Sequence, residues 1–180
     1  MQKKIPASQL TVCSALIALA FVLNNLLPKI PMPYGGSITL FAMFFIYLSS
    51  YLFGPYTGTF AAVAYGLLDL IIKPSVIHPI QLLLDYPVAF GMLGFGGIFC
   101  KGKYALQKGY MAGCLGRLLA VTVSGAVFFG SYAPVGQSAF VYSLTYNASY
   151  IIPEMIVTLA VISVPALRNA VDTVKKKVSK

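Results

Sequence analysis

The whole chain contains four acidic residues, and three of them, Asp69, Asp85 and Glu154, stand inside long apolar runs. A carboxylate at the centre of a membrane helix costs about 2.5–3.5 kcal/mol on insertion scales, so intramembrane acids call for a function. Gln81 and Asp85 are four residues apart, and His78 lies three before Gln81, so the three share a helical face. Asn147, Tyr150 and Glu154 follow at i, i+3 and i+7, a second polar stripe. That stripe fits ligand contact or a hydrogen-bonded seam between helices. A carboxylate offsets a positive charge and accepts hydrogen bonds, while amides donate and accept. Phe128, Phe129, Tyr132, Tyr142 and Tyr146 add aromatic faces, which attract cations. The chemistry this set suits is reversible capture of a cationic or heteroaromatic ligand.

These residues are positioned by helices that cross a membrane. Hydrophobic residues make up 58% of the 180 and charged residues 9%, with a mean hydropathy of +0.82. A soluble domain carries roughly 25% charged residues. Continuous apolar runs of about 20 residues suit helices across a hydrocarbon core roughly 30 Å thick. The fold class expected is all-α: one integral membrane domain over 1–180, with six transmembrane helices near 9–27, 38–54, 57–73, 79–100, 109–131 and 148–167. The first run reads as a retained helix, and residues 168–180 read as a basic cytoplasmic tail at the membrane surface. Cys13, Cys100 and Cys114 lack metal-ligand spacing and read as small buried hydrophobes.

Cations set the orientation. With both termini in the cytoplasm, Lys3, Lys4, Lys101, Lys103, Lys108, Arg168, Lys175, Lys176, Lys177 and Lys180 lie inside and only Lys29 and Lys73 outside, ten against two. This asymmetry is the positive-inside pattern, and it accounts for the net charge of +9 without nucleic acid. Asp69, Asp85 and Glu154 then fall in the outer half of the membrane, the last two roughly 9 Å below their helix entrances. Arg117, the one cation within a span, reads as snorkelling or capping toward the cytoplasmic half. Two outer loops, 28–37 and 130–147, are expected to roof an outward-facing cavity.

Three segments, "PMPYGGSITL" (31–40), "HPIQLLLDYPVAFGMLGFGGIF" (78–99) and "FFGSYAP…VYSLTYNASYIIPE" (128–154), resemble the thiamine-specific substrate-binding (S) subunits of energy-coupling factor (ECF) vitamin transporters, the YuaJ-type thiamine transporter family. The resemblance implies a six-helix S-component fold and a thiamine pocket at the outer side. Within that pocket it implies ligand roles for Asp85 and Tyr86, for Gln81 and His78 just before them, for Tyr142 and Asn147, and for Phe129 as a stacking ring. Tyr150 and Glu154 join the candidate set from the polar stripe. The chain departs from the pattern by having no Trp and by carrying Val121 where the family places a histidine. The resemblance also implies partners: a transmembrane coupling subunit, docked on a small-residue face of the first helix (Ser14 and Ala18), and two ATPase subunits.

No Walker A, HExxH or nucleophile–base pattern occurs, so neither catalysis, a metal nor a resident cofactor is expected. The leading expectation is a thiamine-binding subunit in a bacterial cell membrane that borrows energy from ATP-hydrolysing partners. The alternative is a stand-alone proton-coupled carrier of thiamine or a precursor pyrimidine, with Asp85 or Glu154 titrating. A membrane enzyme built on the acids is the third.

Overall fold

A computed structural model describes residues 5–178 of the chain; Lys3, Lys4 and Lys180, three of the cations expected on the inner side, lie outside the described residues. Helix α1 (Ala7–Asn25) leads into a short hairpin of β1 (Ile30–Pro31) and β2 (Ser37–Ile38), paired antiparallel with Ile30 opposite Ile38. Next come α2 (Ala42–Phe53) and α3 (Pro55–Ile72). A composite helix comes next: α4 (Pro79–Leu83), a π turn (Leu84–Val88), α5 (Ala89–Phe95) and a 3₁₀ turn (Gly96–Phe99). The chain continues through α6 (Ala105–Phe128), a 3₁₀ turn (Gly130–Tyr132), α7 (Ala139–Ser163) and α8 (Pro165–Val178).

Among the described residues, five helices are long and apolar enough to cross a membrane: α1, α3, the composite Pro79–Phe99, α6 and α7. The sixth expected span, 38–54, is shorter. Its helix has twelve residues, about 18 Å at 1.5 Å per residue. Residues 38–41 are diverted into the hairpin and a left-handed turn at Phe41 (φ 66°). Ten of the twelve α2 residues are nevertheless buried, so this helix is the post around which the others pack.

Close packing explains the glycine usage. At Gly94 an added Cβ would collide with Thr59 Cα, so α5 and α3 meet nearly backbone to backbone. The Ser50 hydroxyl of α2 donates to the Gly94 carbonyl in the same contact. A single residue, Gly54 (φ 91°), joins α2 to α3, and Pro55 starts α3 where its missing N–H costs nothing. On the other flank α6 packs along α7. Ser143 Oγ donates to the Thr122 carbonyl at 2.9 Å across that seam.

Two segments differ from expectation. Helix α7 starts at Ala139, nine residues before the expected span at 148, because the Ser138 side chain caps it by accepting from Val141 N. Half of the expected second loop is therefore helical. Its Ser, Thr, Tyr and Asn lower the hydropathy but turn in part toward the protein interior. The expected tail is the helix α8, pinned to α2 by Tyr51, whose hydroxyl donates to Asp172 Oδ1 at 2.5 Å. Cys13 and Cys114 are buried and Cys100 is partly buried, all as free thiols.

Candidate ligand-binding site

A cavity of about 420 Å³ opens at the end of the bundle that holds the hairpin and the 129–138 connection. Asp85, Asn147, Tyr142, Phe129 and Tyr150 line it, together with Asp69, Arg117, Val121, Tyr132, Ser143 and Tyr146. A smaller chamber of about 110 Å³ adjoins it, sharing Asp69, Phe90, Arg117 and Tyr150 and reaching Glu154 and Lys29. That volume range suits a small organic ligand.

Asp85 sits in the π turn. One extra residue per turn rotates the rest of the helix, and such insertions occur mostly at functional sites. Pro87 explains the local break, since it has no N–H for the helical ladder. The turn leaves Asp85 on the cavity wall while Gln81, one turn earlier, reaches its Oδ2 at 2.5 Å. Gln81 is 1% exposed, and its amide is fully engaged. It also donates to the Ser75 carbonyl (3.0 Å) and accepts from Ile77 N (3.1 Å). Tyr86 clamps the same connection, donating to the Lys73 carbonyl (2.8 Å) and accepting from Ser75 N (2.9 Å). His78 caps α4, its Nδ1 accepting from Ile80 N, and stacks on Phe128 with ring centres 4.9 Å apart. Gln81, Tyr86 and His78 thus hold the backbone around Asp85 and do not line the cavity.

Helix α7 supplies the opposite wall. Ser143, Tyr146, Asn147 and Tyr150, at i, i+3, i+4 and i+7, place one helical face on the cavity. The Asn147 amide donates to the Ser143 carbonyl (2.9 Å), and its Oδ1 accepts from the Tyr150 hydroxyl (2.7 Å). Over this face lies the hairpin. Gly35 (φ 97°) and Gly36 (φ 70°) adopt the left-handed conformation and rest on Tyr146 and Tyr150, where a Cβ would come within 2.8 and 2.7 Å. Glu154, 2% exposed, accepts from Thr39 N (3.2 Å), Thr39 Oγ1 (3.1 Å) and Met43 N (3.3 Å). It closes the start of α2, where a helix presents unpaired N–H groups.

Arg117 departs from its expectation. It faces the site, its guanidinium 4.1 Å from the centre of the Phe90 ring, and lines both chambers. A lone cation inside a membrane span tends to face the bundle interior, and the packing of α6 on α5 and α7 sets which chambers it borders. Asp69 is tied down by Asn24 Nδ2 (3.1 Å), whose Oδ1 accepts from Lys29 Nζ (3.2 Å). Lys29, in the connection after α1, has its pKa lowered to about 8, chiefly by burial and then by Lys73, against the pull of Asp69.

The model of the thiamine transporter protein family (Thia_YuaJ) matches residues 10–173. The chain belongs to the thiamine transporter protein family. It is 39% identical over 145 residues to the thiamine transporter ThiT of Bacillus subtilis (strain 168), covering 73% of this chain and 75% of that protein. It is 31% identical over 124 residues to the thiamine transporter ThiT of Lacticaseibacillus paracasei, covering 59% and 62%. A solved structure of ThiT from Listeria monocytogenes shares the fold, with a TM-score of 0.71 and 24% identity over 87% of this chain and 91% of that one. The family is one of transporters rather than enzymes, and this member is a helical membrane protein.

The sequence reading did not place Arg117 or Ser143 in the wall of this thiamine transporter family site, whereas Tyr146 stands there as one of the expected aromatic faces. Ser143 carried a usable signal, because it continues the Asn147–Tyr150 stripe by one turn. Arg117 carried one too, since a cation within a membrane span tends to face the bundle interior.

Proposed function

We propose that this chain is the thiamine-binding S subunit of an ECF-type importer in a bacterial cell membrane, with both termini cytoplasmic. The observation that carries the reading is the 420 Å³ cavity walled on one side by Asp85 and on the others by Phe129, Tyr132, Tyr142, Tyr146 and Tyr150, in a member of a thiamine transporter family. Thiamine joins a flat aminopyrimidine to a permanently cationic thiazolium. Asp85 accepts a hydrogen bond from the exocyclic amine and offsets the cation. The aromatic walls stack on the rings. The Tyr150 hydroxyl, oriented by Asn147, keeps lone pairs for a donor on the ligand. Gln81 fixes the Asp85 carboxylate, so little orientational entropy is lost on binding. Glu154 bounds the inner chamber. The hairpin and the 129–138 connection close over the bound vitamin.

Transport then needs an engine. Ser14 and Ala18 are exposed on α1, a small-residue face that permits close approach of a coupling subunit's helix; two ATPase subunits supply the energy. Calorimetric titration of the purified chain with thiamine tests the binding step, with sub-micromolar affinity expected from the isolated subunit. Uptake into vesicles is expected only when the coupling module is co-reconstituted. Uptake by the chain alone, abolished by collapsing a proton gradient, would instead establish the stand-alone carrier.

A further inference from the structure

Helix α8 is a fourteen-residue amphipathic segment joined to the membrane-crossing α7 by Val164 alone, which is extended (ψ 124°). Leu167, Ala170, Val171, Val174 and Val178 recur at three- and four-residue steps and form one apolar stripe. The bundle covers only part of it: Val171 and Val178 pack against the core, whereas Leu167 and Val174 are 45% and 46% exposed. The helix is held in this attitude at its polar edge. Asp172 accepts from the Tyr51 hydroxyl, and Lys175 Nζ lies 3.7 Å from the centre of the same ring.

The charge at this end of the bundle is one-sided. Tyr47 of α2 contacts Cys100 Sγ (3.1 Å) and Tyr51, one turn on, contacts α8, so the Lys101–Lys108 segment and α8 share one end. Lys101, Lys103, Lys108, Arg168, Lys175, Lys176 and Lys177 gather there, seven cations against Asp172, which Tyr51 already engages. The remaining three acids, Asp69, Asp85 and Glu154, border the cavities at the far end. A half-open apolar stripe set in a basic surface and tied to the membrane boundary by a one-residue link matches one environment: the acyl–headgroup boundary of an anionic leaflet.

We propose that α8 is an interfacial anchor. Leu167, Ala170 and Val174 insert among acyl chains, and Lys176 and Lys177, with the 101–108 cations, engage anionic lipid headgroups. The anchor holds the depth and tilt of α7, and hence of the cavity wall that α7 carries. Its recognition chemistry differs from that of the ligand site, and it stands whichever vitamin that site takes.

The chain contains no Trp, so Val174→Trp installs a single reporter in the full-length protein. Reconstituted in phosphatidylcholine vesicles with increasing phosphatidylglycerol, the reporter is expected to shift to shorter emission wavelength and to be quenched by brominated acyl chains. High salt should weaken both effects. Replacing Lys176 and Lys177 together by Gln should weaken the interfacial partitioning of α8 roughly thirtyfold, since each surface cation contributes on the order of 1 kcal/mol, so the shift should need a higher phosphatidylglycerol fraction. Leu167→Trp, exposed on the same stripe, provides a second reporter if the first variant is unstable. Emission that ignores lipid charge and resists bromine quenching at both positions would overturn the proposal. So would a shift that appears only when the subunits of a coupling module are added, which would make the stripe a protein-docking face.

Discussion

Glu154 and Asp85 lie at the same end of the bundle, and the surroundings of each carboxylate differ. Glu154 is 2% exposed and has three donors, Thr39 N, Thr39 Oγ1 and Met43 N, drawn from a segment more than 100 residues away. Asp85 is held from one side by Gln81 and presents itself to a 420 Å³ cavity. An acid with three of its roughly four acceptor sites taken up by protein donors fastens the fold. An acid steadied from one side and open on the other is equipped to receive a ligand. Charge inside an apolar helix, common to both, does not separate these roles; the count and origin of the donors does.

The comparison can be broken most forcefully at Glu154. Glu154→Leu strips partners from two backbone N–H groups and a hydroxyl in the interior, each worth about 1–3 kcal/mol when left unsatisfied. A large fall in the thermal midpoint of the detergent-solubilised protein is expected, with Glu154→Gln less affected because the amide oxygen still accepts. A Leu variant that melts normally yet loses ligand would transfer Glu154 to the binding set. Asp85→Asn is expected to do the reverse. Thiamine affinity by calorimetry should fall by roughly 10–150-fold, the equivalent of about 1.5–3 kcal/mol for a charged hydrogen bond, with the melting curve little changed.

Smaller effects sharpen the contrast at the hairpin, which touches both acids' neighbourhoods. Gly36→Ala places a Cβ 2.7 Å from Tyr150 at φ 70°, a strain of about 1–3 kcal/mol. It should speed release of bound thiamine in stopped-flow dissociation, because the roof no longer seats on α7. Lys29 gives the smallest effect. Its folded-state pKa of about 8 lies below the ordinary lysine value of about 10.4. Between those values the unfolded chain binds more protons than the folded one, so stability should rise modestly from about pH 8 to pH 10. Equilibrium unfolding at stepped pH should show the rise, and Lys29→Met should flatten it.

Much of the site was legible because its chemistry is costly in a membrane. Asp85 stands out by charge alone, and Asn147 and Tyr150 by helical spacing. Phe129 and Tyr142 stand out as aromatics near an outer loop, and all five line the cavity. Spacing also puts Gln81, Tyr86 and His78 beside Asp85, but apart from the Gln81 bond to Asp85 their hydrogen bonds run to the 73–81 connection. Chain spacing carries no information about whether a polar group faces a void or a backbone carbonyl. The early start of α7 was hidden for a related reason. Hydropathy penalises Ser143, Tyr146 and Asn147, the residues that let that helix border a wet cavity.

Composition and spacing alone determined that this is a helical membrane protein with a basic end and acids buried toward the other, because the bilayer sets helix length and penalises charge without reference to any other part of the chain. Tertiary structure alone decided that α2 is a short buried post, that Arg117 borders both chambers, and that Glu154 draws its donors from the 39–43 segment while Asp85 lines the larger cavity. Those outcomes depend on which backbone groups, far away in sequence, arrive beside each side chain.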